Sequence, residues 1–128
     1  MIGIDLVKID RIKRFTERFG DKALGKFLSN EEIKLAKTTD TIAGFWAAKE
    51  AISKALGLGI SKDCSFFDIR LYKDEKNRPY FKLSKKLIDR FCIEELTLSI
   101  THDGGFAIAV ADIKTKNQKE KLENLMFK

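Results

Sequence analysis

The pattern of apolar and polar positions predicts one long helix near the middle of the chain, from Phe45 to Gly57. Most residues of this stretch are good helix formers, and nothing interrupts it before Gly57. At about 100° per residue, its apolar side chains share an arc that we expect to face the core: Ile42, Phe45, Trp46, Ile52 and Leu56. Lys49 also falls on this arc, although burying an unpaired charge is unfavourable. For the helix alone, we favour a Lys49 that extends its ammonium to solvent and an ordinary surface pair of Glu50 with Lys54.

The first segment of the chain, Ile2 to Val7, is short and rich in β-branched residues, which predicts a strand. Asp5 lies near its end, and the neighbouring Gly3 would let another group approach the backbone closely. A carboxylate in this position fits a ligand-binding role and a capping role equally well.

The next segment, Ile9 to Phe19, has the apolar spacing of a helix that ends at Gly20. Its other side carries a stripe of arginines: Arg11, Arg14 and Arg18. Such a stripe is most often a solvated face, but the lack of acids within it makes a docking surface for an acidic partner worth testing. Two short helices follow, one from Lys22 to Leu28 and one that begins with a capping box of Ser29 and Glu32.

The second half of the chain predicts strands. Two pairs of alternating segments indicate two antiparallel hairpins: Phe66 to Tyr72 with Pro79 to Leu83, and Glu95 to Thr101 with Phe106 to Ile113. Ser84 can cap a helix between them that continues through Phe91, and Thr38 to Thr41 offers an N-cap for the central helix. We predict a loosely packed helix for the polar tail from Lys114 to Lys128. The fold class is therefore α+β, with an antiparallel sheet of hairpins packed against a long central helix.

Composition sets the limits of this picture. A chain of 128 residues that is 44% hydrophobic predicts a single domain over residues 1–128. No apolar run approaches the roughly 18 residues of a membrane span, and no signal peptide precedes the first strand, so we expect a cytoplasmic protein. Cys64 and Cys92 lie in unrelated contexts and are expected to be reduced. The net charge of +6 favours an anionic partner without choosing among nucleic acid, phosphorylated cofactors and acidic proteins.

Two further features carry possible chemistry. Gly57 and Gly59 follow the central helix and would let the backbone approach a phosphate, but a lone G-x-G is a weak motif, and no Walker or dinucleotide fingerprint is present. The single histidine, His102, lies at the tip of the second hairpin, where an exposed or capping role is usual.

Three separated segments form a recognisable set: Gly3 to Asp5, Trp46 to Ala51 with Lys54 to Gly57, and Ser99 to His102. Together they resemble the holo-[acyl-carrier-protein] synthases, the small bacterial 4′-phosphopantetheinyl transferases. Their order, their spacing and the chain length agree with this family over essentially the whole chain. The resemblance implies transfer of the 4′-phosphopantetheine arm from coenzyme A to a serine of apo acyl carrier protein, with release of adenosine 3′,5′-bisphosphate, in support of fatty acid biosynthesis.

The resemblance also implies roles for particular residues. Asp5 and Glu50 match the magnesium ligands of the family, and Glu50 and Lys54 its catalytic residues. Coenzyme A is expected to contact Lys49, Lys54, Gly57, Gly59 and His102, and the acidic carrier protein to contact Arg11, Arg14 and Arg18. Family members form homotrimers whose active sites are shared between two subunits, and neither nucleic acid nor a membrane is expected as a partner. One departure is Phe45, where many members have an arginine.

The chemistry of the reaction supports these roles independently. Attack on a pyrophosphate is opposed by its negative charge, so catalysis needs a hard cation and positioned positive groups. Two carboxylates are about what Mg²⁺ takes from a protein when phosphates and waters complete its shell. A phosphate would satisfy the charge of Lys49, and either Glu50 or a metal-bound water could accept the proton of the serine. The alternatives are a small basic RNA-binding module, which lacks the aromatic stacking signature, and an adaptor that docks an acidic protein through its arginines without catalysis.

Overall fold

The computed structural model describes residues 1–116 and Leu125. Five helices and five strands occur within this part of the chain, and in order they are β1 (Ile2–Lys8), α1 (Ile9–Phe19), α2 (Asp21–Gly25), α3 (Asn30–Leu35), α4 (Thr39–Ala55), β2 (Ile69–Lys73), β3 (Pro79–Leu83), α5 (Lys85–Phe91), β4 (Ile93–Asp103) and β5 (Phe106–Thr115). None of these helices is both long enough and apolar enough to cross a bilayer.

The strands form two antiparallel sheets. The first has the order β1-β5-β4, and the second is the β2-β3 hairpin. Strand β1 pairs with β5 along its whole length, from Ile2 opposite Asp112 to Lys8 opposite Phe106. The α+β class and both predicted hairpins are confirmed, although neither hairpin pattern indicated that the N-terminal strand pairs with β5.

Helix α4 lies across the three-stranded sheet and packs mainly against β1 and β5. Small residues make this approach possible, because a Cβ on Gly3 would lie 1.8 Å from the carbonyl oxygen of Ala51. The group that the missing side chain of Gly3 allows to approach is therefore the backbone of α4. The alanines of β5 that face α4 are also buried: Ala107, Ala109 and Ala111.

The burial of α4 is wider than one apolar arc. Phe45 and Ile52 are buried as predicted, but Ile42 and Trp46 are only half-buried. Buried positions occur around most of its circumference: Ala43, Gly44, Phe45, Ala47, Ala48, Lys49, Ala51, Ile52, Ser53 and Ala55. The helix is enclosed by the sheet on one side and by other elements elsewhere, which the pattern of a half-exposed helix does not anticipate.

Several boundaries differ from the predicted ones. Residues Phe66–Asp68 form a 3₁₀ turn, so β2 begins only at Ile69. Lys114 and Thr115 belong to strand β5 and not to a tail helix. The remainder of the predicted tail helix, apart from Lys116 and Leu125, lies outside the described residues. The Ser84 side chain makes no capping hydrogen bond at the start of α5.

Candidate active site

The centre of the candidate site is an ion pair between α4 and β1. The Lys54 ammonium donates hydrogen bonds to Oδ1 of Asp5 at 2.8 Å and to the carbonyl oxygen of Ile4 at 3.3 Å. Asp5 shares the α4-facing side of β1 with the buried Gly3 and is largely buried, whereas Lys54 is half-exposed in the last turn of the helix. The expected surface pair of Lys54 with Glu50 is absent from the ion pairs of the described residues, because Lys54 bonds to the strand instead.

Glu50 is half-buried one turn before Lys54. Burial raises the pKa of its carboxyl group, and the negative charge of Asp5 raises this pKa further, against the opposing effect of Lys54 and Arg11. The negative charges of the two carboxylates therefore repel one another. A cation between them would relieve that repulsion.

This donor set suits Mg²⁺. Carboxylate oxygens are hard ligands, and Mg²⁺ commonly takes only one or two of them from the protein. Within residues 1–116 and Leu125, no cluster of three or more His, Cys, Asp or Glu side chains could hold a metal by itself. Asp5 and Glu50 thus fit a magnesium ion that also depends on phosphate oxygens and water, and do not fit a metal held entirely by protein.

The structure contradicts the expected contact of Lys49 with coenzyme A. The Lys49 side chain is completely buried, and its ammonium donates to Oε1 of Glu32 at 2.8 Å and to the carbonyl oxygens of Phe27 and Phe66 at 2.7 and 2.9 Å. Burial lowers its pKa, while the hydrogen bond and the charge of Glu32 oppose that effect. An ammonium has three donors, so none remains for a phosphate. The charge of Lys49 is satisfied in the core, and the helix neither extends it to solvent nor presents it to a ligand.

Glu32 makes this arrangement possible and was not identified as a site residue. As predicted, it forms a capping box with Ser29, whose backbone N–H donates to Oε1 at 2.8 Å. The same carboxylate also accepts the Lys49 ammonium, and Oε2 accepts the N–H of Leu71 at 2.9 Å. The capping motif indicated a local role, but not that this glutamate is buried and connects α3 with α4 and β2.

His102 lies away from the cluster of Asp5, Glu50 and Lys54. It is near the end of β4, and its Nδ1 is 3.7 Å from Oδ2 of Asp40, in the first turn of α4. Lys54 is 14 residues further along the same helix, which corresponds to about 21 Å. The structure therefore joins Asp5, Glu50 and Lys54 in one cluster but puts His102 at the opposite end of α4.

A cleft of about 250 Å³ opens beside His102. Its walls come from the start of α4 and from the turn between β2 and β3, and they include Gly44, Phe45, Lys73, Asn77 and Pro79. In the sequence, residues 73–78 appear only as the connection between the two strands of the first predicted hairpin, and nothing there singles out Lys73 or Asn77. The one available signal was the left-handed backbone that a turn with asparagine suggests, and Asn77 does have φ 63°.

The two glycines after α4 adopt the predicted open geometry. Gly57 and Gly59 have φ values of 74° and 63°, and no atom lies within 4 Å of where a Cβ would be placed on either. The N–H groups of Leu58 and Gly59 are bonded to the carbonyl oxygen of Ser53. This loop continues directly from Lys54, so its exposed backbone lies close to the cluster in sequence; a phosphate contact there stays a prediction.

The three arginines of α1 differ from one another. Arg14 pairs with Asp10 at 3.0 Å in an exposed i,i+4 pair, which contributes little to stability. Arg11 lies 6.0 Å from the Trp46 ring centroid, and Arg18 lies 5.1 Å from that of Phe19. All three are exposed, so a partner could reach the whole stripe.

Comparison with solved structures shows to which class of proteins this fold belongs. The fold is that of the holo-[acyl-carrier-protein] synthases. A crystal structure of that synthase from Helicobacter pylori in complex with coenzyme A matches 89% of this chain and 100% of its own, with a TM-score of 0.86 and 51% identity. The synthase from Bacillus anthracis, in complex with coenzyme A (3′,5′-ADP), matches 90% of this chain and 96% of its own, with a TM-score of 0.75 and 33% identity.

Sequence relatives agree with the structural match. The holo-[acyl-carrier-protein] synthase of Campylobacter curvus is 60% identical over 111 residues, which cover 87% of this chain and 97% of the relative. That of Wolinella succinogenes is 55% identical over 116 residues, covering 91% and 98%. The model of the 4′-phosphopantetheinyl transferase superfamily matches residues 1–111, and the chain belongs to this family. The resemblance noted from three short segments is thereby confirmed.

Proposed function

We propose that this protein transfers 4′-phosphopantetheine from coenzyme A to a serine of apo acyl carrier protein, releasing adenosine 3′,5′-bisphosphate. Relatives of more than 50% identity that bear the name of this synthase support the reaction. The observation in the molecule itself that supports it best is the cluster of Asp5, Glu50 and Lys54. It combines two carboxylates whose charges affect one another with an accessible ammonium, beside the edge strand β1 of the sheet.

The roles of this cluster follow from the charge of the reaction. Asp5 and Glu50 would hold Mg²⁺, which when bound supplies positive charge to the pyrophosphate. Lys54 is half-exposed and its ammonium is already oriented by Asp5, so it can neutralise the phosphate that leaves. Because Asp5 also binds Lys54, the ammonium is held near the carboxylates before coenzyme A arrives.

The carrier protein would dock on α1. An acidic surface is attracted by Arg11, Arg14 and Arg18, which are all exposed. The charge of Arg11 also lowers the pKa of Glu50, so this end of the arginine stripe lies near the cluster. A serine presented at Arg11 would therefore be close to the reacting groups.

The second part of the proposal is a homotrimer whose active sites are shared between subunits, as the family resemblance implies. The outer face of the three-stranded sheet is suited to such an assembly, because it exposes 73% of Ile2, 59% of Ile4, 57% of Leu6 and 38% of Val110. A contiguous apolar face of this kind marks an interaction surface.

The transfer is tested by incubating the protein with apo acyl carrier protein, coenzyme A and Mg²⁺ and weighing the carrier by mass spectrometry. We expect one added phosphopantetheine group, and none with Glu50→Gln. Glu31→Gln is the matched control, because Glu31 is exposed on α3 and makes only a surface pair with Lys34. An unchanged carrier mass over a range of pH and metal concentrations contradicts the proposal.

The shared site is tested by mixing subunits. Glu50→Gln and His102→Ala each damage a different part of the site, so trimers assembled from both variants should regain activity that neither variant has alone. Recovery requires that some sites take Glu50 from one subunit and His102 from another. Light scattering gives the mass of the assembly, and absence of any recovery in verified mixed trimers would contradict a shared site.

A further inference from the structure

Five side chains on the outside of the β2–β3 hairpin and of the turn before it form one surface, the hairpin face. They are Phe67, Arg70, Tyr72, Tyr80 and Lys82. On the strands they alternate with the buried Leu71 and Phe81, as side chains of a strand do. Tyr72 is half-buried, and the other four side chains are exposed. The hairpin therefore shows cations and aromatic rings to the solvent.

Two cations of the hairpin face lie directly opposite one another. The strand register pairs Arg70 with Lys82. Opposed side chains on neighbouring strands have their Cβ atoms only about 5 Å apart, so like charges in these positions repel. Among the described residues, neither side chain belongs to an ion pair, and the nearby Asp68 is already bonded to Lys86 at 3.0 Å. An anion supplied by a partner would relieve the repulsion between Arg70 and Lys82.

Aromatic rings surround this pair of cations. Tyr72 and Tyr80 are opposite one another on the two strands, with their ring centroids 5.2 Å apart and their planes 15° from parallel. The Nζ of Lys82 lies 5.3 Å from the centroid of Tyr72, within cation–π distance. A cleft of about 320 Å³ on this face is lined by Phe67, Arg70, Tyr72 and Lys82, among others. Because arginine and aromatic residues are enriched at protein interfaces, this composition fits a surface that docks another protein.

The hairpin face also continues the arginine stripe of α1. Arg11 lies 6.0 Å from the centroid of the Trp46 ring, and the centroid of Phe66 lies 5.2 Å from that of Trp46. Phe66 directly precedes Phe67, which lines the cleft. Trp46 and Phe66 are half-buried, so partly exposed aromatic rings join the two basic surfaces. A partner the size of a small domain, about 30 Å across, could contact both.

We propose that the hairpin face is a second docking surface for the acidic carrier protein, beside the arginine stripe of α1. This inference rests on the proposed function, because it takes the carrier as the partner. Acidic side chains of the carrier would neutralise Arg70 and Lys82, and Phe67 would pack against apolar parts of the same segment. Nucleic acid fits this surface less well, because the two tyrosines stack on each other, whereas a single strand needs open rings for its bases.

The kinetic test combines Arg70→Gln with Lys82→Gln in the full-length protein. Because the lost contacts are exposed charges, KM for the apo carrier should rise by roughly three- to tenfold at low salt. The difference from the wild type should shrink as salt screens the wild-type contact. The kcat and the KM for coenzyme A should stay unchanged, since neither residue belongs to the cluster of Asp5, Glu50 and Lys54. Tm should stay the same or rise, because the two cations repel one another.

The matched control is Arg90→Gln with Lys114→Gln, which removes one arginine and one lysine from exposed positions on α5 and β5. It has the same net charge as the test variant and should leave KM for the carrier unchanged. Arg70→Lys with Lys82→Arg keeps both charges and should restore most of the affinity. An equal rise of KM in the control, or no rise in the test variant, would overturn the role of the hairpin face while the transferase reaction stands.

Binding measured without coenzyme A separates this inference from the proposed function. Calorimetry should show that the variant with both Arg70→Gln and Lys82→Gln binds the apo carrier more weakly than the wild type does. If this variant instead loses affinity only for a fluorescently labelled single-stranded RNA, the surface serves nucleic acid and the inference is overturned. If the wild type modifies no carrier, the proposed function fails, but weaker carrier binding by the variant would still support the docking surface, and equal binding would overturn it as well.

Discussion

Replacing Lys49 by methionine tests whether this lysine serves the fold or the substrate. Methionine retains an unbranched, apolar side chain of similar length but removes the ammonium. Three hydrogen bonds of 2.7, 2.8 and 2.9 Å are lost, and the Glu32 carboxylate, only 1% exposed, is left without its cation. We therefore expect destabilisation and no direct effect on coenzyme A.

The magnitude follows from the burial of the pair. Removing one partner of a buried ion pair typically costs about 3–5 kcal/mol, because the other charge stays desolvated. For a domain of this size, each kcal/mol corresponds to roughly 4 °C, so Tm should fall by about 12–20 °C. Urea denaturation followed by circular dichroism gives the free energy of unfolding directly.

A double-mutant cycle with Glu32→Gln separates the pair from its surroundings. Glutamine can still accept the N–H of Ser29 or Leu71 but carries no charge. The losses of unfolding free energy in the two single variants should therefore add up to more than the loss in the double variant. We expect a coupling free energy of about 2 kcal/mol or more.

Lys54→Met is the contrasting variant. Lys54 is 52% exposed, so removing its ammonium should change stability by less than about 1 kcal/mol and abolish most of the activity. The reasoning is refuted if Lys49→Met unfolds like the wild type while its KM for coenzyme A rises. That result would support the contact with coenzyme A that the family resemblance implies for Lys49.

Three further predictions concern packing and pH. Gly3→Ala should lower the free energy of unfolding, measured by urea denaturation, by about 1–3 kcal/mol, because its methyl group would displace the α4 backbone. The control is Gly25→Ala, which has no atom nearby and should leave this free energy unchanged or slightly higher. Equal effects of the two substitutions would contradict the close packing of Gly3 against α4. In metal-free protein, the pKa of Glu50 is raised, so its stabilising contribution is present below the unfolded-state pKa and lost as pH rises through the folded-state pKa. Glu50→Gln should thus raise Tm at pH 8 but not at pH 4, and a lower Tm at pH 8 would count against the repulsion. Burial, with a smaller effect of a nearby carboxylate, raises the pKa of Cys64 to about 11. Iodoacetamide at pH 8.5 should therefore label the exposed Cys92 first and Cys64 only on unfolding, which peptide mass mapping would show. Early labelling of Cys64 would contradict its burial.

Local structure was largely predictable because its causes lie within a few residues. The capping box of Ser29 with Glu32 and the N-cap of Thr38, whose Oγ1 accepts the N–H of Thr41 at 3.2 Å, are both set by short spacings. Alternation likewise indicated the two hairpins, since side chains of a strand face opposite sides in turn. The family resemblance singled out Asp5, Glu50 and Lys54 as candidate site residues, which no spacing rule does, and the structure brings these three together.

The sequence by itself thus determined the helices, the hairpins and the family, but the partners of its charged residues were decided by the tertiary structure. Lys49 pairs with Glu32, 17 residues away, and Lys54 pairs with Asp5, 49 residues away, whereas the i,i+4 pattern had suggested Glu50. His102 lies at the far end of α4 from that cluster. Periodicity reports which face a side chain occupies, but only the packing of distant segments decides what that face meets, and the same charge then becomes either part of the core or part of a site.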